Sequence, residues 1–430
     1  MKIATSILVY LSLAGAAAQQ PSPAPASNLT LAQAKEYALR NNPRIHSADS
    51  TTEAAGSVVK EVRSARLPTV TGIATGVEAQ KSTILAAGTL QTSSLYSRFA
   101  SGIALNQLIT DFGRTSSLTQ SADLRRQAQG NTGQAVREQI LLQVEQAYFQ
   151  ALGGNAALRA AQAAVNNRDV TLRQIRALQQ SAMRSTLDVS FAEVALSQAQ
   201  LDVYQTENIA AEAQANLAAA LGLDHADTFT LCDVAMPTAL EATPDPRIQT
   251  ALQLRPDLKA LSLTRDAAHS FADAEARLKM PTVSLMGAAG AIPAGDPRLP
   301  ESYSAAGVNV NIPILNGGLF SARRAEAEQR AAAADSDVRA LAVQISREVR
   351  VAWLEANTAA RRLDVTARLL AQSNEALRLA RTRYDAGLGS IVELSQAQLN
   401  QTSAEIQNAT ARYDYLSSRA ALDYATGELQ

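Results

Sequence analysis

The chain has 430 residues, with 39 basic against 40 acidic side chains and a single cysteine. The length allows two or three ordinary domains or one large repeated one, and the balanced charge argues against a nucleic-acid binder held by its overall charge. One cysteine excludes a disulfide framework and a cysteine cluster for zinc or iron–sulfur. Only 4% of the residues are aromatic while about a fifth are alanine, which favours closely packed helices with small contact residues.

The N-terminus has the residue order of a secretory signal. Lys2 precedes an apolar run over residues 3–13, and three alanines at 16–18 offer a small-residue cleavage site. The run is shorter than the ~20 residues of a spanning helix, although an uncleaved anchor is the alternative. We therefore predict a signal peptide at 1–18, a linker at 19–27 and export. No cysteine follows the run, which disfavours a lipid anchor.

The remaining chain is predicted to be a duplicated unit. Asp-Phe-Gly at 111–113 recurs as Asn-Gly-Gly at 316–318, and Leu-Asp-Val at 187–189 recurs as Val-Glu-Leu at 392–394, with the same spacing. Chance matches would not keep the same spacing over such long segments. We predict a first repeat at 28–222, an inter-repeat segment at 223–247, a second repeat at 248–427 and a C-terminal end at 428–430.

Each repeat is predicted to contain a shorter helix with proline in its first turn (43–67 and 256–280), a strand pair, a very long helix, a tip and a return helix. In the first repeat the last four lie at about 69–110, 114–181, 182–187 and 188–222. In the second repeat they lie at about 282–315, 319–384, 385–390 and 391–426. Apolar and alanine residues step by three or four along both long segments, which contain no proline.

Such helices would be on the order of 100 Å long, so the molecule must be elongated. Two shorter helices are expected to lie end to end along each long one, with the inter-repeat segment around the gap between them. Tyr148 and Trp353 lie mid-helix in repeat register, which predicts packing roles, and Cys232 is expected to be a small buried residue.

The predicted strands alternate apolar and polar residues, most strictly at 101–106 and 308–312. This pattern is typical of a membrane β-barrel strand, but a half-buried soluble sheet shows it as well. The export signal and the elongated helices favour the barrel, with loops at 80–95 and 292–301 outside the cell. Four strands per chain are too few for a closed barrel of about eight or more, so closure requires an oligomer.

These features together resemble TolC-type outer-membrane efflux channels. The resemblance is carried by the order of the repeats, Asn-Asn-Pro at 41–43, Leu-Arg-Pro-Asp-Leu at 254–258, the Asp/Asn-x-Gly strand exits, and Arg-Tyr-Asp-Ala-Gly at 383–387. It implies a mainly α fold with a small membrane β-barrel part. In a homotrimer the four strands of each protomer would form a 12-stranded barrel in outer-membrane lipid, extended by an α-helical barrel of coiled coils.

The function implied by the resemblance is that of a passive outer-membrane export duct in a tripartite drug or solute efflux system. A periplasmic adaptor (membrane fusion protein) would dock on the helical tips, and an inner-membrane pump of resistance-nodulation-division or ABC type would supply energy. A type I protein secretion duct is the alternative, and an exported structural coiled-coil scaffold is an alternative of another class. No enzyme motif, cofactor site or metal-ligand spacing is found in the sequence, and no nucleic-acid partner is expected.

The resemblance also predicts where a gate would lie. Acidic residues at the starts of the return helices face the narrow periplasmic entrance in the family, and the residues at the gate positions here are Asp188, Tyr384, Glu393 and Gln396. The family prototype has an arginine at the position of Gly389 and a second acid at that of Gln396. We therefore expect a single carboxylate ring from Glu393, supplemented by Asp188. Helix-start carboxylates and ordinary packing of Tyr384 are the structural alternatives.

The tips themselves are the expected docking surface for the adaptor. The residues in question form the two turns at the far ends of the long helices, namely Ala182, Arg184, Ser185, Thr186, Gly387, Leu388, Gly389 and Ser390. Turn chemistry alone would also account for the glycines and serines. Ala182 stands where the second tip has its glycine, so the two tips need not be equivalent.

Overall fold

The computed structural model describes residues 28–78, 84–87, 90–94, 98–224, 229–295 and 300–429. The predicted signal peptide and linker, parts of both predicted outer loops, and Gln430 at the C-terminal end lie outside these residues.

Helices make up most of the described chain. The helices are α1 (Leu31–Asn41), α2 (Pro43–Ser64), α3 (Arg114–Gln180), α4 (Thr186–Leu221), α5 (Asp245–Leu254), α6 (Pro256–Ala276), α7 (Leu319–Asp385) and α8 (Ile391–Thr426). The strands are β1 (Asn28–Leu29), β2 (Thr69–Val77), β3 (Ile84–Ala87), β4 (Leu90–Ser94), β5 (Arg98–Thr110), β6 (Thr230–Leu231), β7 (Thr282–Gly295) and β8 (Ser302–Asn311). A short 3₁₀ turn, Arg277–Lys279, follows α6.

Two helices of 67 residues each, α3 and α7, set the length of the molecule at about 100 Å. The shorter helices α2 and α4 pack against different parts of α3, while α6 and α8 pack against both α3 and α7. The short helices thus lie end to end in two rows, as the sequence predicts. Because α3 has neighbours on both sides, 25 of its residues are buried, whereas α7 at the edge of the chain buries only 10.

A four-stranded antiparallel sheet in the order β2-β5-β7-β8 lies at one end of the long helices. The central pair, β5 and β7, joins the two repeats, with Leu105 opposite Gly287. Strands β2 and β8 form the two edges and have no further partner among the described strands. The hairpin of β3 and β4 is a separate two-stranded sheet between β2 and β5 in the sequence.

The sheet joins α3 through a glycine turn that a buried carboxylate holds in place. Asp111 accepts hydrogen bonds from the Gly113 amide (3.1 Å), the Thr115 amide (2.6 Å) and the Thr115 hydroxyl (2.5 Å). Burial alone would raise the pKa of Asp111, but these hydrogen bonds hold it below its ordinary value. Gly113 has a φ of +94°, which a side chain would strain, and its carbonyl accepts from Arg277 at 3.0 Å.

A buried acid links the starts of the two long helices. Glu275 near the end of α6 is 2% exposed and pairs with Arg323 of α7 at 2.8 Å and with Arg114 of α3 at 3.7 Å. Since each ion has partners from other helices, the pairing fixes where the helices leave the sheet.

Midway along the long helices, two aromatic residues anchor the segment between the repeats. The hydroxyl of Tyr148 in α3 lies 2.8 Å from the carbonyl oxygen of Leu29 and 2.6 Å from that of Cys232, next to the parallel pair β1–β6. Burial raises the pKa of Tyr148 to about 12. Trp353 in α7 donates its ring N–H to the carbonyl of Glu241 at 3.2 Å. Both residues therefore bind backbone of this segment in addition to packing.

Three boundaries or environments differ from the sequence predictions. Strand β8 ends at Asn311 and not near 315, because Pro313 has no amide hydrogen for a ladder. Helix α4 begins at Thr186, two residues before the predicted start, because Ser185 supplies the N-cap. Cys232 is exposed and not buried, since the inter-repeat segment presents only its backbone to Tyr148.

None of the helices in the described part of the chain is long and apolar enough to cross a membrane.

The packing of α3 against α4 depends on glycine at 154. A Cβ built at Gly154 would lie 3.1 Å from the Cα of Ala210, whereas one built at Gly130 on the same helix would meet nothing within 4 Å. Replacing Gly154 would therefore push two backbones apart, while replacing Gly130 only removes the entropic cost of glycine.

We predict that Gly154→Leu lowers the free energy of unfolding by about 1–3 kcal/mol because it overpacks this contact. The matched Gly130→Leu change should raise it by roughly 0.5–1 kcal/mol through helix propensity. Thermal unfolding of the purified variants, followed by circular dichroism, measures both. Equal effects of the two substitutions would contradict the close-approach explanation.

Candidate functional site

The two helix turns at the end opposite the sheet form the candidate site, here called tip 1 (residues 181–185) and tip 2 (residues 386–390). At tip 1, Ala182 has a φ of +57°, a strained value for a residue with a side chain. Ser185 then caps α4: its hydroxyl accepts from the Asp188 amide at 3.2 Å, and the Asp188 carboxylate accepts from the Ser185 amide at 3.1 Å. Thr186 is the first helical residue after this cap.

Tip 2 is built on the same plan with different chemistry. Gly387 has a φ of +74°, and the amides of Leu388 and Gly389 both donate to the carbonyl of Arg383, at 2.8 and 3.0 Å. A Cβ at Gly389 would lie 3.2 Å from the Cβ of Arg383, so a larger residue there would need the end of α7 to shift by a few tenths of an ångström. Ser390 caps α8 by accepting from the Glu393 amide at 3.1 Å, and Leu388 projects outward, largely exposed.

The carboxylates at the helix starts have separate partners in the two tips. Asp188 is half-buried and closes the capping box of α4. Glu393 has no such reciprocal bond and instead pairs with Arg383 at 3.3 Å, with both side chains exposed. The predicted helix-start role thus describes Asp188 fully, whereas the carboxylate of Glu393 stays open to solvent beside a cation.

Arg184 joins the two tips. Its guanidinium donates to the carbonyl oxygen of Tyr384 at 2.5 Å and lies over the Tyr384 ring, 4.1 Å from the ring centroid. That carbonyl belongs to the last turn of α7, where helix carbonyls lack intrahelical partners and the dipole favours a cation. Arg184 therefore caps the C-terminus of α7 from the neighbouring tip.

Tyr384 is part of the hydrophobic cluster beneath the tips and is 4% exposed. It packs with residues from three neighbouring helices, α3, α4 and α8, namely Leu172, Ile175, Ala192, Ile391 and Leu394. Its hydroxyl has no hydrogen-bond partner among the described residues. Burial raises the pKa of Tyr384, and Arg184 opposes that shift. The observed contacts are those of a packed side chain.

Gln396 is not part of the tips. It lies more than a turn along α8, where its amide donates to Asn400 at 2.9 Å and it lines a cavity between α4 and α8. The structure therefore brings together Arg184 with Tyr384 and Arg383 with Glu393, while Gln396 lies one turn farther along α8 than Glu393 and contacts Asn400.

The link from Arg184 to Tyr384 and the pair between Arg383 and Glu393 were not predicted from the sequence. Arg184 and Tyr384 are 200 residues apart, and no sequence periodicity relates them. Turn propensities predict the backbone conformation of each tip, but they do not predict which side chains of the two tips are in contact. The sequence shows only that an arginine stands in tip 1 (Arg184) and another shortly before tip 2 (Arg383). In the described residues no cluster of His, Cys, Asp or Glu could hold a metal ion.

Comparison with known proteins decides the family. The family model for outer membrane efflux protein matches residues 36–223 and 247–428, which together are most of the chain. The chain belongs to the outer membrane efflux protein family. The predicted resemblance and the outer-membrane location are thereby confirmed.

Similar proteins span nearly the whole chain. The outer membrane protein OprJ of Pseudomonas aeruginosa is 27% identical over 86% of this chain and 78% of its own length. The outer membrane protein TolC of Vibrio cholerae is 24% identical over 93% of this chain and 91% of its own. Among solved structures, the outer-membrane channel OprN superposes with a TM-score of 0.79 at 22% identity, covering 92% of this chain and 89% of that one. The mainly α fold with a small strand part is confirmed.

The link between the tips can be tested without knowledge of the cargo. Arg184→Ala removes a charged hydrogen bond and a cation–π contact, together worth about 1–2 kcal/mol of local stability. We expect amide exchange in residues 384–389 to become roughly 5–30-fold faster, measured by hydrogen–deuterium exchange mass spectrometry.

The control is Arg173→Ala, which removes a cation of α3 whose partner among the described residues is Asp169, one turn away on an exposed face. It should leave exchange at tip 2 unchanged. If Arg184→Ala also leaves it unchanged, the contact does not hold the tips together.

Proposed function

We propose that this family member is a passive export duct, open from a membrane end formed by the sheet to a periplasmic end formed by the tips. The observation that carries the proposal is the four-stranded sheet with two open edges at one end of 67-residue helices. Exposed edges are a liability that closure removes, and only a closed barrel satisfies all strand hydrogen bonds in lipid. Three copies would supply 12 strands and close the barrel.

The outward side chains of the edge strand support a membrane environment. Val308 and Val310 of β8 are exposed and alternate with Asn309 and Asn311. Ile314 and Leu315, directly after β8, are 94% and 91% exposed. An apolar face of this kind is favourable in lipid or against another copy and costly in water.

The helical edges point to the same assembly. Helix α7 leaves Val343, Leu354 and Val365 exposed at intervals of about three helical turns, and α4 leaves Leu187 and Leu201 exposed about four turns apart. These helices lie on opposite edges of the protomer, so a head-to-tail contact between copies would cover both. In a homotrimer that contact closes a ring around a central tunnel.

Docking of a periplasmic adaptor at the tips is part of the proposal, with an inner-membrane pump supplying the energy. Exposure supports it: Leu388 and the tip 1 residues Ala182 and Ser185 project from the helix ends. Arg184 does not contribute a free cation to such docking because it is bound to Tyr384. The candidate docking set therefore reduces to the exposed tip residues around it.

The assembly is tested by extracting the full-length protein from outer membranes and reconstituting it in planar bilayers. We expect a trimer by native mass spectrometry and stepwise ion conductance. A monomer without conductance would overturn the duct in favour of an exported coiled-coil scaffold.

We further propose that Glu393, supplemented by Asp188, sets the charge at the periplasmic entrance. Three symmetry-related Glu393 carboxylates near a narrow opening would favour cations, and the neighbouring Arg383 would weaken that preference. Glu393→Ala should therefore lower cation selectivity in bilayer recordings, and Arg383→Ala should raise it. Unchanged reversal potentials in a salt gradient for both variants would contradict the ring.

A further inference from the structure

A buried guanidinium lies beneath a cavity that the duct proposal does not use. Arg168 of α3 is only 7% exposed, although it lies 12 residues, about 18 Å, before the end of the helix. Among the described residues it makes one hydrogen bond, a long one of 3.4 Å to the hydroxyl of Thr402. A guanidinium carries five N–H donors, so most of them have no acceptor within the described part of the chain.

The cavity over Arg168 has a volume of about 280 Å³ and lies between α4 and α8. Its apolar lining includes Phe191 and Val194 of α4 together with Val392 and Leu399 of α8. One end of the cavity is thus cationic and its walls are aromatic and aliphatic. The volume suits an organic molecule of about ten to fifteen non-hydrogen atoms better than an inorganic ion.

The one acid at the cavity does not neutralise the arginine. Asp202 of α4 lines the cavity and lies close enough to Arg168 to act on it electrostatically, but the two form no ion pair within 4.0 Å. The Asp202 carboxylate instead accepts from Gln198 at 3.1 Å. Burial lowers the pKa of Arg168, and Asp202 opposes that shift only in part, although the guanidinium stays charged at neutral pH.

The Arg168 nitrogens without a protein acceptor are not among the fully buried ones, so they face the solvent of the cavity, where an anion can replace water. Carboxylates match the guanidinium fork and can accept two parallel hydrogen bonds from it. We propose that this cavity is a binding site for an aromatic carboxylate, with the carboxylate on Arg168 and the ring between Phe191 and Leu399. All residues of this site belong to one chain, so the binding proposal does not require the proposed export function. Only a role of the site in binding exported molecules would rest on that function.

The test uses the full-length protein in lipid nanodiscs, with 2-naphthoate as the probe and 2-naphthamide as its neutral match, measured by isothermal titration calorimetry. Naphthoate should bind saturably, one per chain, and at least about tenfold more tightly than naphthamide, because a charged hydrogen bond is gained. Arg168→Gln should abolish this preference. Ala195→Leu should weaken binding of both probes, since Ala195 lines the cavity and the larger side chain fills it.

Asp202→Asn is expected to change the affinity for naphthoate in the direction opposite to Arg168→Gln. Removing the acid beside Arg168 should tighten naphthoate binding and leave naphthamide binding unchanged. The matched control is Arg173→Gln, which removes a cation of the same helix that is largely exposed and lies outside the cavity. This control should leave the affinity for both probes unchanged.

Thermal unfolding of each variant without probe separates binding from structure. If the site is built for a ligand, Arg168→Gln unfolds no more easily than the unchanged protein, because among the described residues Arg168 makes a single long hydrogen bond. A large loss of stability would show a structural role through Thr402 and overturn the proposal. So would equal affinities for the two probes, or an absence of saturable binding, as expected where a neighbouring copy or water fills the cavity.

Discussion

Close approach of helix backbones along α3 is the constraint on which the rest of the structure depends. Gly154 faces the backbone of Ala210 in α4, and Gly153 faces Tyr413 in α8, so small residues bring a helix close on each side. Alanines at 147, 151, 157, 160, 161 and 164 continue this buried contact surface. Because small side chains bury little apolar area each, stability must come from the great length of the contact. This explains why the helices are so long and the chain so poor in aromatic residues.

A long seam of alanine specifies the axial position of a helix poorly, because one alanine resembles the next. Polar and aromatic anchors supply that information. At the sheet end, Glu275 ties α6 to both long helices, while at the opposite end of α6 Arg255 pairs with Asp257 and with Glu348 in the middle of α7. At mid-length, Tyr148 and Trp353 bind the inter-repeat backbone. At the far end, Arg184 caps α7. Each anchor links elements distant in sequence, so together they set the register of the rows.

The two repeats share their architecture but differ in environment. Helices α3 and α7 have equal length, yet α3 is enclosed and α7 lies at an edge. The tips differ likewise, since Asp188 closes a capping box while Glu393 pairs with an arginine. Duplication therefore produced a protomer whose interior helix α3 is packed on both sides, while its two edges leave apolar side chains exposed. A protomer of this kind reaches full burial only against further copies, which is the physical basis for the proposed ring.

The sequence alone was enough for the fold class and the family, because proline-free periodicity, strict strand alternation and a repeat register are local or regularly spaced signals. It placed the long helices at about 114–181 and 319–384, and the structure has them at Arg114–Gln180 and Leu319–Asp385. It missed α1, α5 and the two-residue strands β1 and β6, which are short and depend on contact with α3. Only the tertiary structure decided that Arg184 meets Tyr384, that Cys232 faces solvent and that Arg168 is buried beneath a cavity. Such outcomes depend on which side chains converge from helices far apart in sequence, and no local pattern encodes that convergence.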